Sequence, residues 1–158
     1  MRSFLSLLFS LLCATSLYAQ PSNDNPCGAI PLEIGSNCAF QTFATNGATR
    51  SPNIPNPSCG DYTGSNDVWF VVQVPASGTM IINTNQGTLR DMSMAAYYAD
   101  NCSGAFTQVA CATGGGNSPN MPYLEMRNLT PGRYLFIRVW DRVCNNIINC
   151  GLPTDGYQ

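Results

Sequence analysis

The chain has 158 residues, with seven basic and nine acidic side chains and a formal net charge of −2. Every basic residue is Arg, and the seven are scattered, so the dense positive footprint that nucleic-acid binding requires is missing. Histidine is absent, which excludes Ser-His-Asp and Cys-His nucleophilic sites, ordinary catalytic zinc sites and a His-based pH switch.

The chain opens as an export signal. Arg2 supplies the positive start, and Phe4 to Leu12 form an apolar run too short to span a bilayer as a helix. Cleavage is expected after Ala19. Cys13 follows Leu12 rather than a small residue, so a lipid-modified cysteine is not expected there. No later stretch is long and apolar enough to read as a transmembrane helix. About 139 residues then remain, enough for one domain with its own core.

After the signal, strand patterns alternate with turn patterns. Phe40 to Thr45 alternates in polarity. Val68 to Val74 is the strongest strand, and Pro75-Ala76-Ser77-Gly78 with Thr79 to Asn83 predicts a hairpin after it. Met92 to Tyr98 and Thr107 to Ala112 flank a short loop. Tyr123 to Asn128 leads into Leu129-Thr130-Pro131-Gly132, and Arg133 to Trp140 is the last strand pattern. Gly47 to Gly64 and Gly114 to Pro122 read as loops. No segment keeps a helical period, so the fold class expected is an all-β, jelly-roll-like sandwich with disulfides. The organisation expected is a signal peptide over 1–19, one sandwich domain over 20–151, and a loop or truncated tail over 152–158.

Alternation sorts the two strongest strands into faces. Val68, Phe70, Val72 and Val74 share one face, and Leu135, Ile137 and Val139 share another; both are assigned to the core between sheets. Trp69 and Val71, with Asp67 before them, take the opposite face of their strand. Tyr134, Phe136, Arg138 and Trp140 do the same on theirs. These second faces must be covered or used. Trp69, Trp140, Tyr97, Tyr98 and Tyr134 form a candidate stacking platform for sugar rings, and Trp69, Arg138 and Trp140 a candidate ligand patch. Large aromatics are more often buried, so packing beneath a loop is the reading preferred for this cluster.

Seven cysteines follow the signal: Cys27, Cys38, Cys59, Cys102, Cys111, Cys144 and Cys150. In an exported chain this density reads as a disulfide framework, and no Cys-x-x-Cys pair suggests zinc. Cys102 and Cys111 flank a loop between adjacent strand patterns and are expected to pair. Cys38 is assigned to Cys59, and Cys27 to Cys144 or Cys150, leaving one thiol over. Calcium would need clustered oxygen ligands. Asp24, Asp67, Asp91 and Asp141 lie at strand ends or in loops and are the candidate set, although no Asp-x-Asp-x-Asp run concentrates them. Glu33 and Glu125 are the only glutamates, and nothing brings them together as a hydrolytic pair. No catalytic residue is therefore expected, and no cofactor other than calcium.

Four stretches carry a family likeness. They are Asn23 to Leu32, Asp67 to Gly78, Asp91 to Tyr98 with Cys102 and Cys111, and Leu129 to Trp140. In this order the chain resembles the pre-peptidase C-terminal modules of bacterial secreted proteins, and more closely the repeated extracellular modules of type IX secretion substrates and cell-surface adhesins. The resemblance implies a jelly-roll-like sandwich and a non-catalytic role, secreted or at the cell surface. That role is binding polysaccharide or protein, or presenting neighbouring domains of a longer chain. Some similar modules bind calcium. This sequence departs from the pattern at Ala112-Thr113-Gly114-Gly115-Gly116, where similar modules carry acidic residues, and at Cys144 to Gln158, which reads as loop. A purely structural spacer is the alternative reading, and a carboxylate-dependent hydrolase a remote one.

Overall fold

The computed structural model describes residues 19–35, 39–62, 66–116 and 118–142. The signal segment before residue 19, Cys38, Cys144, Cys150 and the tail over 152–158 lie outside the described residues. Among the described residues, seven strands follow a short 3-10 turn at Pro26–Gly28: β1 (Ile30–Pro31), β2 (Asp67–Gln73), β3 (Met80–Asn83), β4 (Met92–Tyr98), β5 (Thr107–Ala112), β6 (Tyr123–Met126) and β7 (Tyr134–Asp141). The turn is capped by the Asn25 side chain, which accepts from the Cys27 N–H.

The strands form an all-β sandwich. One sheet has the order β1-β2-β7-β4-β5, parallel only where β1 meets β2; the other is the antiparallel pair β3-β6. The expected hairpin between Val68–Val74 and Thr79–Asn83 does not form. Both segments are extended, but β2 pairs with β7 and β3 with β6. The turn between them instead carries the chain from one sheet to the other. Gly78 makes that crossing possible: its φ is +62°, and a Cβ there would lie 2.7 Å from the Leu129 carbonyl oxygen. Phe40 to Thr45 does not become a strand either; it is irregular apart from a single bridge position at Phe43. Its alternation instead lets Phe43 pack edge-on against Phe70, with ring centroids 4.7 Å apart.

Alternation along β2 and β7 gives the expected partition. Val68, Phe70, Val72, Leu135, Ile137 and Val139 are buried in one apolar cluster with Met80, Leu124 and Met126 of the second sheet. This is the core between the sheets. The outer face of the five-stranded sheet carries a second cluster, built from Trp69, Ala95, Tyr97, Phe136 and Trp140 with Tyr62, Ala99 and Phe106 from loops. Two hydrophobic layers therefore lie on one sheet, one beneath β3-β6 and one beneath loops.

The disulfides fix the loop layer. Cys27 pairs with Cys102 and Cys59 with Cys111. This overturns the expected Cys102–Cys111 bridge and the assignments of Cys59 to Cys38 and of Cys27 to the C-terminal cysteines. The physical reason is the second core. Loops carrying Cys27 and Cys59 must be held over the outer face, and their nearest anchors are the ends of the β4-β5 hairpin. Bridging Cys102 to Cys111 would only have tied that hairpin to itself.

Candidate functional site

The outer face brings together two of the charged groups singled out by sequence, Asp67 and Arg138. β2 and β7 pair so that Trp69 stands opposite Arg138 and Asp67 opposite Trp140. Asp67, Trp69, Arg138 and Trp140 are all 0% exposed. The Arg138 Nε donates to Asp67 Oδ2 at 2.6 Å. Tyr62 donates to the same carboxylate and accepts from Arg138 Nη2. The Ser51 hydroxyl donates to Asp67 Oδ1 at 2.7 Å and accepts from Trp69 Nε1 at 2.7 Å. The guanidinium carbon lies 4.0 Å from the Tyr62 ring centroid and 5.1 Å from that of Trp69, so cation–π attraction adds to the ion pair.

These side chains also bind the loop that covers them. Arg138 donates to the Ser51 and Pro55 carbonyls, Trp140 Nε1 to the Asp61 carbonyl, and the Tyr97 hydroxyl to the Pro55 carbonyl. A Pro-rich loop has few N–H groups with which to build its own structure, and here its carbonyls are paired by the sheet instead. Gly60 brings the loop close enough. Its φ is +68°, and a Cβ there would sit 2.5 Å from Ser93 Oγ and 3.3 Å from the Trp140 ring.

Burial sets the electrostatics. Removal from water pushes the Asp67 carboxyl up to about 6 and the Arg138 guanidinium down to about 9. Nearby Asp24 adds to the rise at Asp67, and nearby Arg50 adds to the fall at Arg138. Burial also raises the Tyr97 phenol above its ordinary value.

Trp69, Arg138 and Trp140 are therefore brought together, but as a covered cluster rather than an open ligand patch. The wider platform of aromatics is divided. Tyr97 joins the covered cluster, Tyr98 packs beside the core between the sheets, and Tyr134 is half-exposed. Tyr62 and Ser51 were not singled out by sequence, because neither lies in a periodic segment. The available signal was indirect: a buried Arg on an aromatic face requires oxygen partners.

The four candidate calcium ligands do not form one site, although Asp24 lies near enough to Asp67 to help raise its pKa and Ser51 bonds to both residues. Asp24 accepts from the Thr49 N–H and hydroxyl. Asp67 belongs to the buried cluster. Asp91 accepts from Arg142 Nε and Nη2 at 2.5 and 2.8 Å, and this raises the Arg142 pKa. Asp141 lies at the end of β7, where burial raises its pKa against the hydrogen bonds the carboxyl accepts from the Asn66 and Asp141 backbone, while its buried Oδ1 has no partner. Among the described residues, no three His, Cys, Asp or Glu side chains come together in a way that could hold a metal ion.

One further concavity opens between the sheets, at the edge formed by β3 and the segment 39–43. It is about 140 Å³ in volume and mostly apolar. Among the described residues, no helix is long and apolar enough to cross a membrane. Comparison of the chain with protein-family models, with curated proteins and with solved structures finds no match.

Proposed function

We propose that this chain is exported and acts as a non-catalytic binding or adhesion module of a secreted or cell-surface protein, of the kind implied by its resemblance to pre-peptidase C-terminal modules. The observation that most supports this is the closed state of its ionisable cluster. Asp67, Arg138 and Tyr62 are buried, hydrogen-bonded to one another and covered by a loop. A catalytic carboxylate must reach its substrate, and this one faces the underside of its own loop. The two disulfides, together with the apolar Phe4 to Leu12 run behind Arg2, support export to an oxidising compartment.

The partner on this reading is an extracellular protein or polysaccharide. Binding of the purified oxidised protein to panels of matrix proteins and bacterial polysaccharides tests it. Saturable binding that is lost on reduction is expected. Binding to neither panel favours the spacer reading. Hydrolysis of peptides, esters or glycosides that disappears on replacing one Asp or Glu would overturn the proposal in favour of an enzyme.

A further inference from the structure

Asn46-Gly47 is the only Asn-Gly pair in the chain. It forms the tip of a turn that the Ala48 N–H closes by donating to the Thr45 carbonyl at 2.9 Å. Gly47 sits just before the closing residue with a φ of +76°, the left-handed value that a type II turn requires at this position. Asn46 is exposed. Among the described residues, no hydrogen bond holds its side-chain amide or the Gly47 N–H.

Asparagine is a labile residue because the backbone nitrogen that follows it can reach its own side-chain carbonyl carbon. A side chain on the following residue crowds that approach, and glycine leaves it open. The Gly47 nitrogen, on losing its proton, bonds to the Asn46 carbonyl carbon. The amide nitrogen leaves with that proton as ammonia, and a cyclic imide closes. Water then opens the imide at either carbonyl. One opening gives aspartate. The other gives isoaspartate, in which the main chain runs through the former side chain and gains a methylene group. Exposed Asn53 and Asn120 lack this arrangement. Ile54 and Met121 follow them, and the Met121 N–H is already committed to the Ser118 carbonyl at 3.0 Å.

The position matters because of what the turn leads into. Ala48 is buried in the core between the sheets, and Thr45 is half-buried, so the turn is fixed at both feet. Thr49 donates through its N–H and hydroxyl to the Asp24 carboxylate, and its carbonyl accepts from the Asp67 N–H at 3.2 Å. Ser51 then donates to the Asp67 carboxylate beneath the covering loop. Thr49 is thus the first fastening of that loop, and added main chain at residue 46 displaces it.

We propose that Asn46 is a site of spontaneous conversion to isoaspartate, and that the lengthened turn loosens the Thr49 fastening of the loop layer. The inference stands apart from the binding reading, since it concerns how long the cover stays closed whatever the module contacts. In the first test, purified oxidised protein is aged at mildly acidic and at mildly alkaline pH and mapped by mass spectrometry. The mass shift of an amide become an acid is expected at Asn46 well before Asn53 or Asn120, and sooner at alkaline pH, where the attacking nitrogen loses its proton more readily. No conversion at Asn46, or conversion no faster than at Asn53 and Asn120, overturns the site. Asn46→Gln keeps an exposed amide whose longer side chain closes the ring far less readily, and it should lose the shift. The second test separates the isoaspartate fraction by ion exchange and measures acrylamide quenching of its tryptophans. Stronger quenching than in fresh protein is expected, with no change in Asn46→Gln aged alongside. Unchanged quenching overturns the loosening. Equal quenching in fresh Asn46→Asp, which has the new charge but not the longer chain, overturns it as well.

Discussion

Arg138 and Asp67 meet across neighbouring strands with Nε 2.6 Å from Oδ2, and neither side chain reaches solvent. Each charge is held out of water at a cost, which is why the carboxyl rises to about 6 and the guanidinium falls to about 9. What the pair gains in return is specificity of position. The same guanidinium hydrogen-bonds Tyr62 and two loop carbonyls, so it couples the register of β2 and β7 to the placement of the loop over them.

Breaking this pair from one side should be expensive. Asp67→Asn and Arg138→Met are each expected to destabilise by about 3–5 kcal/mol, because each leaves a buried group without its main partner. The double variant should lose less than the sum, with a coupling of about 1–3 kcal/mol. Urea denaturation of the four proteins measures this, and strict additivity would show that the contact carries no energy of its own.

Both tryptophans are covered, so acrylamide should quench the folded protein's fluorescence weakly. Trp69→Ala should cost about 3–5 kcal/mol as a core truncation. Strong quenching together with an unchanged melting temperature for Trp69→Ala would mean that the loop layer does not stay closed in solution.

The bridges are testable without perturbation. Peptide mapping under non-reducing conditions should join Cys27 to Cys102 and Cys59 to Cys111. The bridges close separations of 75 and 52 residues, so removing either is expected to cost about 4 kcal/mol in the loop-entropy description. Recovery of a Cys102–Cys111 peptide would refute this connectivity.

Asp141 gives the protein a pH dependence of defined sign. Burial raises its folded pKa, so the folded chain holds that proton more tightly than the unfolded chain. The stability it contributes is present below the ordinary carboxyl value near 3.8 and is lost as pH rises through the folded value. Asp141→Asn should therefore stabilise at pH 7, because a neutral amide is spared the burial that disfavours the charged carboxylate. The gain should vanish well below pH 3.8, where both side chains are neutral. Melting curves at the two pH values decide it, and a gain of equal size at both would rule out titration as its cause.

The strands with strong alternation were legible in the sequence, and so was the division of β2 and β7 into aliphatic and aromatic faces, because period-2 patterning is a local signal. Parity also placed Trp69 and Arg138 each on the face opposite the aliphatic core; their meeting needs the pairing of β2 with β7, which alternation does not give. Strand partners were not legible: the turn after Val74 has hairpin composition, and only the burial of Met80 and Ile82 against the larger sheet's inner face draws β3 into the other sheet. The disulfides were misread for a related reason. Cys102 and Cys111 are close in sequence, but the second hydrophobic layer needs its loops tied down, and that layer depends on contacts between distant segments. Tyr62 and Ser51 stayed hidden because a loop residue's role is set by what lies beneath it.

The two bridges interleave along the chain, Cys27 reaching past Cys59 to Cys102 and Cys59 reaching past Cys102 to Cys111. A single backbone cut anywhere between Cys27 and Cys111 therefore leaves two pieces that still share at least one covalent link. Between Cys59 and Cys102 they share both. A protease that clips an exposed turn there nicks the molecule without releasing a fragment, and the damage stays invisible on a gel until the sample is reduced.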